Sequence, residues 1–177
     1  VSKIFVVENY FPQKEYNLIC QTALQVDFTP PPIEHRKAIE KSSQTDGGAY
    51  WFQEEIPSGS YAAVACYNSL KPKFFFTRPK AIRDIYCTII SPQKQFAPHV
   101  DRGGNYQVLI YLMGNETMNN GTGFYKPDGK GNLVLNTHIG FQPNRAILFT
   151  KDNYHAPLLW AGNSSMRYSI CFSFDLE

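Results

Sequence analysis

Missing from this 177-residue chain is any apolar run approaching the ~20 residues that a membrane-spanning helix requires. The N-terminus also lacks a charged stretch followed by a signal-type apolar core. A soluble, cytoplasmic protein without a membrane partner is therefore expected. Surplus charge is missing too: the formal net charge is +2, and the lysines and arginines are scattered rather than gathered into a stripe. Nothing marks an electrostatic footprint for a phosphate backbone, so a nucleic-acid partner is unsupported. No C-x-x-C pair occurs among Cys20, Cys66, Cys87 and Cys171, which disfavours a disulfide scaffold or a structural zinc site and leaves free, buried thiols as the expectation. Internal repeats and low-complexity tracts are absent. Charged residues reach only 18% against 43% hydrophobic, a globular balance that excludes a largely disordered chain. Three N-x-S/T triplets, beginning at Asn115, Asn120 and Asn163, are of a kind common by chance and matter only in a secreted protein. Val1 in place of methionine fits removal of an initiator or of a longer leader.

What is present fits one domain over 1–177, a length that buries about 70% of the unfolded surface. Lys3 to Val7 reads as a short strand. Pro12 then opens a stretch in which Tyr16, Ile19, Cys20, Ala23 and Leu24 recur at helical spacing, so the segment of about 1–30 is a strand followed by an amphipathic helix. Pro30, Pro31 and Pro32 end that helix. The polar stretch from Ile33 to Gly48 shows no period, and two readings of the 30–50 segment stay open: a lid over a site, or a plain surface loop. Ser60 to Leu70 leans towards a second helix. From residue 83 to about 175 β signals dominate, in Arg83–Ile90, Asn105–Met113, Gly123–Lys126, Leu133–Ile139, Arg145–Phe149 and Met166–Phe174. N-N-G-T-G at 119–123 and P-D-G-K-G-N at 127–132 read as turns between strands. The expected class is mainly β, a sandwich or barrel with one or two N-terminal flanking helices.

His99 and Asp101 lie one residue apart, so on an extended segment both project to the same face and can grip one ion. His155, beyond the strand ending at Thr150, can supply a third ligand from a neighbouring strand. Two histidines and a carboxylate form a facial triad that leaves three positions of an octahedral ion open, which suits Fe(II) binding a cosubstrate and O2 together. An H-x-D pair alone is weak evidence. Support comes from Arg167 to Phe174, where alternation puts Arg167, Ser169, Cys171 and Ser173 on one face and Tyr168, Ile170, Phe172 and Phe174 on the other. If the apolar face packs under the helix at 13–25, Arg167 looks into the barrel, where it requires an anion. That anion is either a protein carboxylate or the far end of a dicarboxylate gripped by a guanidinium fork with help from the Ser169 hydroxyl.

In order along the chain, F-A-P-H-V-D at 96–101, Q-V-L-I-Y-L-M at 107–113, G-T-G-F-Y at 121–125, Y-H-A-P at 154–157 and R-Y-S at 167–169 resemble the Fe(II)/2-oxoglutarate-dependent oxygenases, and within them the prolyl-4-hydroxylase-like branch. The resemblance covers about residues 83–175 and implies a double-stranded β-helix (jelly-roll) core. It further implies that His99, Asp101 and His155 ligate Fe(II), and that Arg167 and Ser169 bind the distal carboxylate of 2-oxoglutarate. Tyr111, in a Y-L-M that is similar to the family's Y-L-N, is either a second partner of that carboxylate or a core tyrosine. Two departures blur the rim: G-T-G-F stands where the family has a Gly-Gly pair followed by an acidic residue, and the chain between His155 and Arg167 runs longer than usual.

By the same resemblance the activity is a dioxygenase that consumes O2 and 2-oxoglutarate, releases succinate and CO2, and hydroxylates a peptidyl or prolyl residue or a small molecule. Asp101 favours hydroxylation, because the related halogenases lack that carboxylate. The extra arginine, asparagine and threonine pattern of the DNA-dealkylating members is missing, which disfavours a nucleobase substrate. Arg102, Asn105 and Trp160 near the ligands, with Arg36, Tyr50 and Trp51 in or beside the candidate lid, are rim residues whose ordinary surface or core roles stay open. A cupin-type enzyme would need H-x-H in place of H-x-D. The remaining alternative is a non-catalytic jelly-roll ligand-binding module or a degenerate oxygenase. Oligomeric state is not legible in these residues.

Overall fold

A computed structural model of the chain describes residues 3–26, 51–74, 79–90, 97–101, 103–114, 116, 120–158 and 167–176. The candidate lid at 30–50, with Arg36 and Tyr50, lies outside the described residues, as do Arg102, Trp160 and the side chain of Trp51.

Strand β1 (Ile4–Val7) leads into helix α1 (Gln13–Gln25), where Pro12 stands at the N-cap with φ −54°, since the first turn has no use for the N–H that proline lacks. After β2 (Trp51–Glu55), the Ser60 hydroxyl accepts the Ala63 N–H at 3.3 Å and starts helix α2 (Tyr61–Phe74), which carries Pro72 in its last turn. Seven strands follow: β3 (Pro79–Ile90), β4 (Tyr106–Met113), β5 (Gly121–Pro127), β6 (Leu133–Gly140), β7 (Ala146–Thr150), β8 (Tyr154–Leu158) and β9 (Arg167–Leu176). Every pairing is antiparallel. The strands form a six-stranded sheet in the order β1-β7-β4-β9-β3-β2 and a three-stranded sheet in the order β6-β5-β8. A β-bridge between His99 and His155 adds the 97–101 segment beside β8.

Period-2 alternation divides the interior into two cores. Val108, Ile110 and Leu112 of β4, Ala146 and Leu148 of β7, and Ile170, Phe172 and Phe174 of β9 face outward onto Ile19 and Ala23 of α1 and Ala63, Cys66 and Leu70 of α2. The intervening residues Tyr111, Ile147 and Phe149 point the other way and meet Phe124, Ile139 and Phe141 between the two sheets. Strands β4 and β7 are thus buried on both faces, which explains why they read as nearly continuous apolar runs.

Two short strands, β2 and β8, are not among those read from the sequence. The N-N-G-T-G motif at 119–123 needs correction in part: Gly121, Thr122 and Gly123 already belong to β5, and residue 119 lies outside the described residues. These glycines answer a packing demand. A Cβ on Gly121 would lie 2.2 Å from the Ile139 carbonyl oxygen, and one on Gly123 would lie 2.8 Å from Leu135 Cδ1. P-D-G-K-G-N does turn between β5 and β6, tightened by Asp128 Oδ1 accepting the Lys130 and Asn132 N–H groups at 2.8 and 2.9 Å.

Asn144, just before β7, clasps the N-terminal segment to the barrel from a left-handed backbone with φ 61°. Its N–H donates to the Tyr111 carbonyl and its own carbonyl accepts from the Tyr10 N–H, while Oδ1 accepts from the Phe11 N–H and Nδ2 donates to the Phe11 carbonyl, each at 2.9 Å. Asn144→Ala leaves two buried backbone groups unsatisfied and strains the turn, and should lower the unfolding free energy by about 2–4 kcal/mol. Urea denaturation checks this: the midpoint should fall at constant slope, and Asn144→Gly should recover only the backbone part.

Candidate active site

His99 and His155 are held by reciprocal backbone bonds, the His99 N–H to the His155 carbonyl at 3.0 Å and the His155 N–H to the His99 carbonyl at 2.8 Å. Their rings therefore sit side by side, with centroids 4.7 Å apart. Asp101, one pleat further on, turns its carboxylate to both: Oδ1 is 3.7 Å from His99 Nε2 and Oδ2 is 3.4 Å from His155 Nε2. One donor atom from each of the three lies within 4.8 Å of the others.

The opposite ring nitrogens settle which atoms face the centre. His155 Nδ1 lies 3.1 Å from the Asn153 carbonyl and His99 Nδ1 lies 3.3 Å from the Ala97 carbonyl. A carbonyl only accepts, so each Nδ1 can donate a proton there, which would leave Nε2 facing Asp101 as the ligand atom. The three donors converge closely enough that they could hold a metal ion. Burial and the neighbouring His155 push the His99 pKa down from its ordinary value of 6.5. Burial alone would raise Asp101, but the hydrogen bond and charge of His155, with that of His99, outweigh it and hold the carboxyl below its usual range. Both shifts favour the deprotonated forms of His99 and Asp101 that a metal ion requires. Phe149 and Phe124 wall the His155 ring, with centroids 4.7 and 6.2 Å away.

Close backbone approach brings this centre onto β9. After the ligand pair the chain runs through Gly103 and Gly104, where a Cβ would lie 2.8 Å from Ser173 Oγ and 2.5 Å from the Phe174 carbonyl oxygen, respectively. Only glycine lets the loop cross so near. Next along the inner face of β9 stands Cys171, whose thiol is pushed up by burial and by the Asp101 charge. Ser169 follows, its Oγ 2.6 Å from Thr88 Oγ1 in the partner strand β3, and Arg167 completes the row.

Arg167 is 2% exposed. Its Nη1 donates to the Gly121 carbonyl at 2.6 Å and to Asn120 Oδ1 at 3.2 Å, and its Cζ lies 5.6 Å from the centroid of the Tyr111 ring. Burial pushes the guanidinium pKa down, and the Tyr111 phenol opposes this. Tyr111 is fully buried and points inward, as its parity with Gln107 and Leu109 requires; its hydroxyl meets Thr122 Oγ1 at 2.6 Å and the Ile139 carbonyl at 3.4 Å. Burial raises its pKa, so the phenol keeps its proton and acts as a donor.

The structure thus brings His99, Asp101 and His155 together and puts Arg167, Ser169 and Tyr111 in the same interior. Asn105 is exposed at the head of β4, its N–H bound by Asp175 Oδ1 at 2.9 Å and its carbonyl by the Lys151 N–H at 3.0 Å. Sequence reasoning did not single out Asn120, Thr122, Thr88 or the Gly103-Gly104 pair. A signal existed for the glycines, which directly follow the ligand pair; the polar three act across strands and become visible only with the register.

Solved structures share this arrangement of strands. A prolyl-4-hydroxylase from Pseudomonas putida superposes with TM-score 0.58 at 13% identity, over 100% of this chain and 94% of that one. A prolyl hydroxylase from Trichoplax adhaerens, solved with a peptide of the hypoxia inducible factor oxygen degradation domain, gives 0.63 at 14%, over 97% and 82%. HygX from Streptomyces hygroscopicus, with nickel and 2-oxoglutarate bound, gives 0.59 at 12%, over 97% and 82%. The chain has the double-stranded β-helix fold of the 2-oxoglutarate/Fe(II) oxygenases. No family model and no curated protein matches the sequence.

The glycine crossing is testable without a ligand. Gly104→Ala drives a methyl into the Phe174 backbone and should cost about 1–3 kcal/mol of stability by urea denaturation. Gly103→Ala meets the Ser173 and Gln107 side chains, which have more room to give, and should cost less.

Proposed function

We propose that the chain is a dioxygenase dependent on Fe(II) and 2-oxoglutarate that hydroxylates a C–H bond of a peptidyl or small-molecule substrate, releasing succinate and CO2. The observation that carries this reading is the convergence of His99 Nε2, His155 Nε2 and the Asp101 carboxylate on the inner face of a double-stranded β-helix. Two imidazoles and one carboxylate, all supplied from one side, fit a six-coordinate ferrous ion better than a closed tetrahedral zinc site, because half of the coordination sphere stays open to other ligands. The fold neighbours include one protein in complex with a hypoxia inducible factor peptide fragment and one bound to hygromycin B, so both substrate classes stand within reach of this fold. No helix among the described residues is long and apolar enough to cross a membrane.

When bound, Fe(II) with 2-oxoglutarate and O2 supplies the oxidising power. The protein's own residues perform the rest. His99, Asp101 and His155 hold the metal, their Nδ1–H bonds to Ala97 and Asn153 fixing tautomer and ring plane. Arg167 receives the distal carboxylate of 2-oxoglutarate in a charge-assisted fork, with the Ser169 and Tyr111 hydroxyls beside it. Phe124 and Phe149 cover the His155 ring with apolar surface on the chamber side.

The test is anaerobic titration of the Fe(II)-loaded protein with 2-oxoglutarate, following the visible charge-transfer band of a ketoacid chelated to ferrous iron. A saturable band lost in His155→Ala and in Asp101→Ala is expected; its absence from wild-type protein with iron bound would overturn the reading. Arg167→Ala should keep the band at saturation while weakening 2-oxoglutarate binding about 100-fold. Metal affinity should depend on pH in one direction. Both His99 and Asp101 are shifted down, so protons compete with the metal for these two ligands only towards acid pH, and affinity should fall as pH is lowered. Mn(II) binding followed by electron paramagnetic resonance between pH 8 and 5 checks the sign.

A further inference from the structure

We infer that Asn120 is a positioning residue for the cosubstrate, aiming the Arg167 guanidinium from a neutral side chain so that its positive charge stays available to the ligand's distal carboxylate. The inference rests on the proposed reading of Arg167 as the carboxylate's partner. Asn120 is 0% exposed, directly before β5, and its carbonyl accepts the Phe141 N–H at 2.7 Å, which anchors the residue to the β6–β7 connection. Its Oδ1 and the next residue's carbonyl, that of Gly121, accept the two protons of one nitrogen, Arg167 Nη1, at 3.2 and 2.6 Å. With both Nη1 protons directed, the plane of the guanidinium is set.

The chemical type of the acceptor matters as much as its place. A carboxylate at position 120 would orient the fork equally well but would also neutralise it, since an Arg–carboxylate pair in a buried site competes directly with a dicarboxylate ligand for the same charge. An amide and a peptide carbonyl orient without competing. The same short stretch serves the second hydroxyl of the chamber: Thr122, two residues on and on the same inner face of β5, holds the Tyr111 hydroxyl at 2.6 Å, and the Tyr111 ring lies beside the guanidinium. Gly121 between them has no side chain because a Cβ would strike the Ile139 carbonyl. The N-G-T sequence at 120–122 is therefore a three-residue scaffold for the carboxylate end of the site.

The test compares Asn120→Asp, Asn120→Ser and Arg167→Ala in anaerobic Fe(II) protein, titrated separately with 2-oxoglutarate and with 2-oxobutyrate, a keto acid that chelates metal identically but lacks the distal carboxylate. Thermal melting and Fe(II) affinity are measured alongside. Asn120→Asp should weaken 2-oxoglutarate binding at least tenfold and leave 2-oxobutyrate and Fe(II) affinity as in wild type. Asn120→Ser, which removes the anchor without adding charge, should weaken 2-oxoglutarate by only a few-fold. Equal loss for both keto acids would mark a merely structural role and overturn the inference, as would wild-type 2-oxoglutarate affinity in Asn120→Asp while Arg167→Ala loses it. Unchanged affinity in Arg167→Ala would overturn the underlying reading instead. Should Asn120→Asp fail to fold, the two keto acids read on Asn120→Ser decide alone: a selective loss for the diacid supports the inference, and an equal or absent loss overturns it.

Discussion

Strand β9 is buried on two sides that demand opposite chemistry, and the rest of the molecule is arranged around that demand. Towards the helices it presents Ile170, Phe172 and Phe174, which share a core with Ile19, Ala23, Cys66 and Leu70. Towards the small sheet it presents Arg167, Ser169, Cys171 and Ser173, a row that no apolar core would accept without partners. The outer face provides the hydrophobic drive that pins the strand between β3 and β4. The inner face can then carry polar groups at positions that a less firmly held strand would let drift. Removing either face changes the other: a register slip of one residue would bury Arg167 under α1 and point Phe172 at the metal ligands.

Along that inner row the electrostatic character changes sign. At the Ser173 end lie the carboxylate of Asp101 and two imidazole lone pairs, a centre that attracts cations. Arg167 stands at the other end, cationic and almost fully enclosed. Strand rise separates Cys171 from Arg167 by about 13 Å at the backbone, a gap narrowed by the length of the arginine side chain reaching into the chamber. Burying a guanidinium costs several kcal/mol unless its surroundings compensate. Gly121, Asn120 and the Tyr111 face compensate in part while adding no formal negative charge of their own. A ligand that is chelating at one end and anionic at the other satisfies both ends of the row at once.

The sequence made the two faces of β9 legible because period 2 needs no knowledge of partners, and it exposed the H-x-D pair for the same reason. Helix α1 was readable from its 3.6-residue spacing behind Pro12. What escaped were features that exist only across strands. Strand β8 is five residues long and contains Pro157, so neither length nor propensity reveals it, yet it is the element that delivers His155 to His99. Gly121 was misread as a turn residue, because a glycine signals permissive backbone and close packing with the same letter.

That ambiguity has a physical lesson for the whole site. Two of the functional groups, Asp101 and Arg167, sit beside a place where the chain comes closer to another strand than any side chain allows: Gly103 and Gly104 near the first, Gly121 next to the second. Barrel interiors are narrow, and functional side chains must share them with backbone that carries the hydrogen-bonding carbonyls. At Gly121, omitting a Cβ brings a peptide carbonyl, rather than a side chain, within reach of the functional group. A peptide acceptor is neutral, rigid and costs no side-chain entropy to order, so it suits a position where the aim of a cation matters but its charge must be left for a ligand.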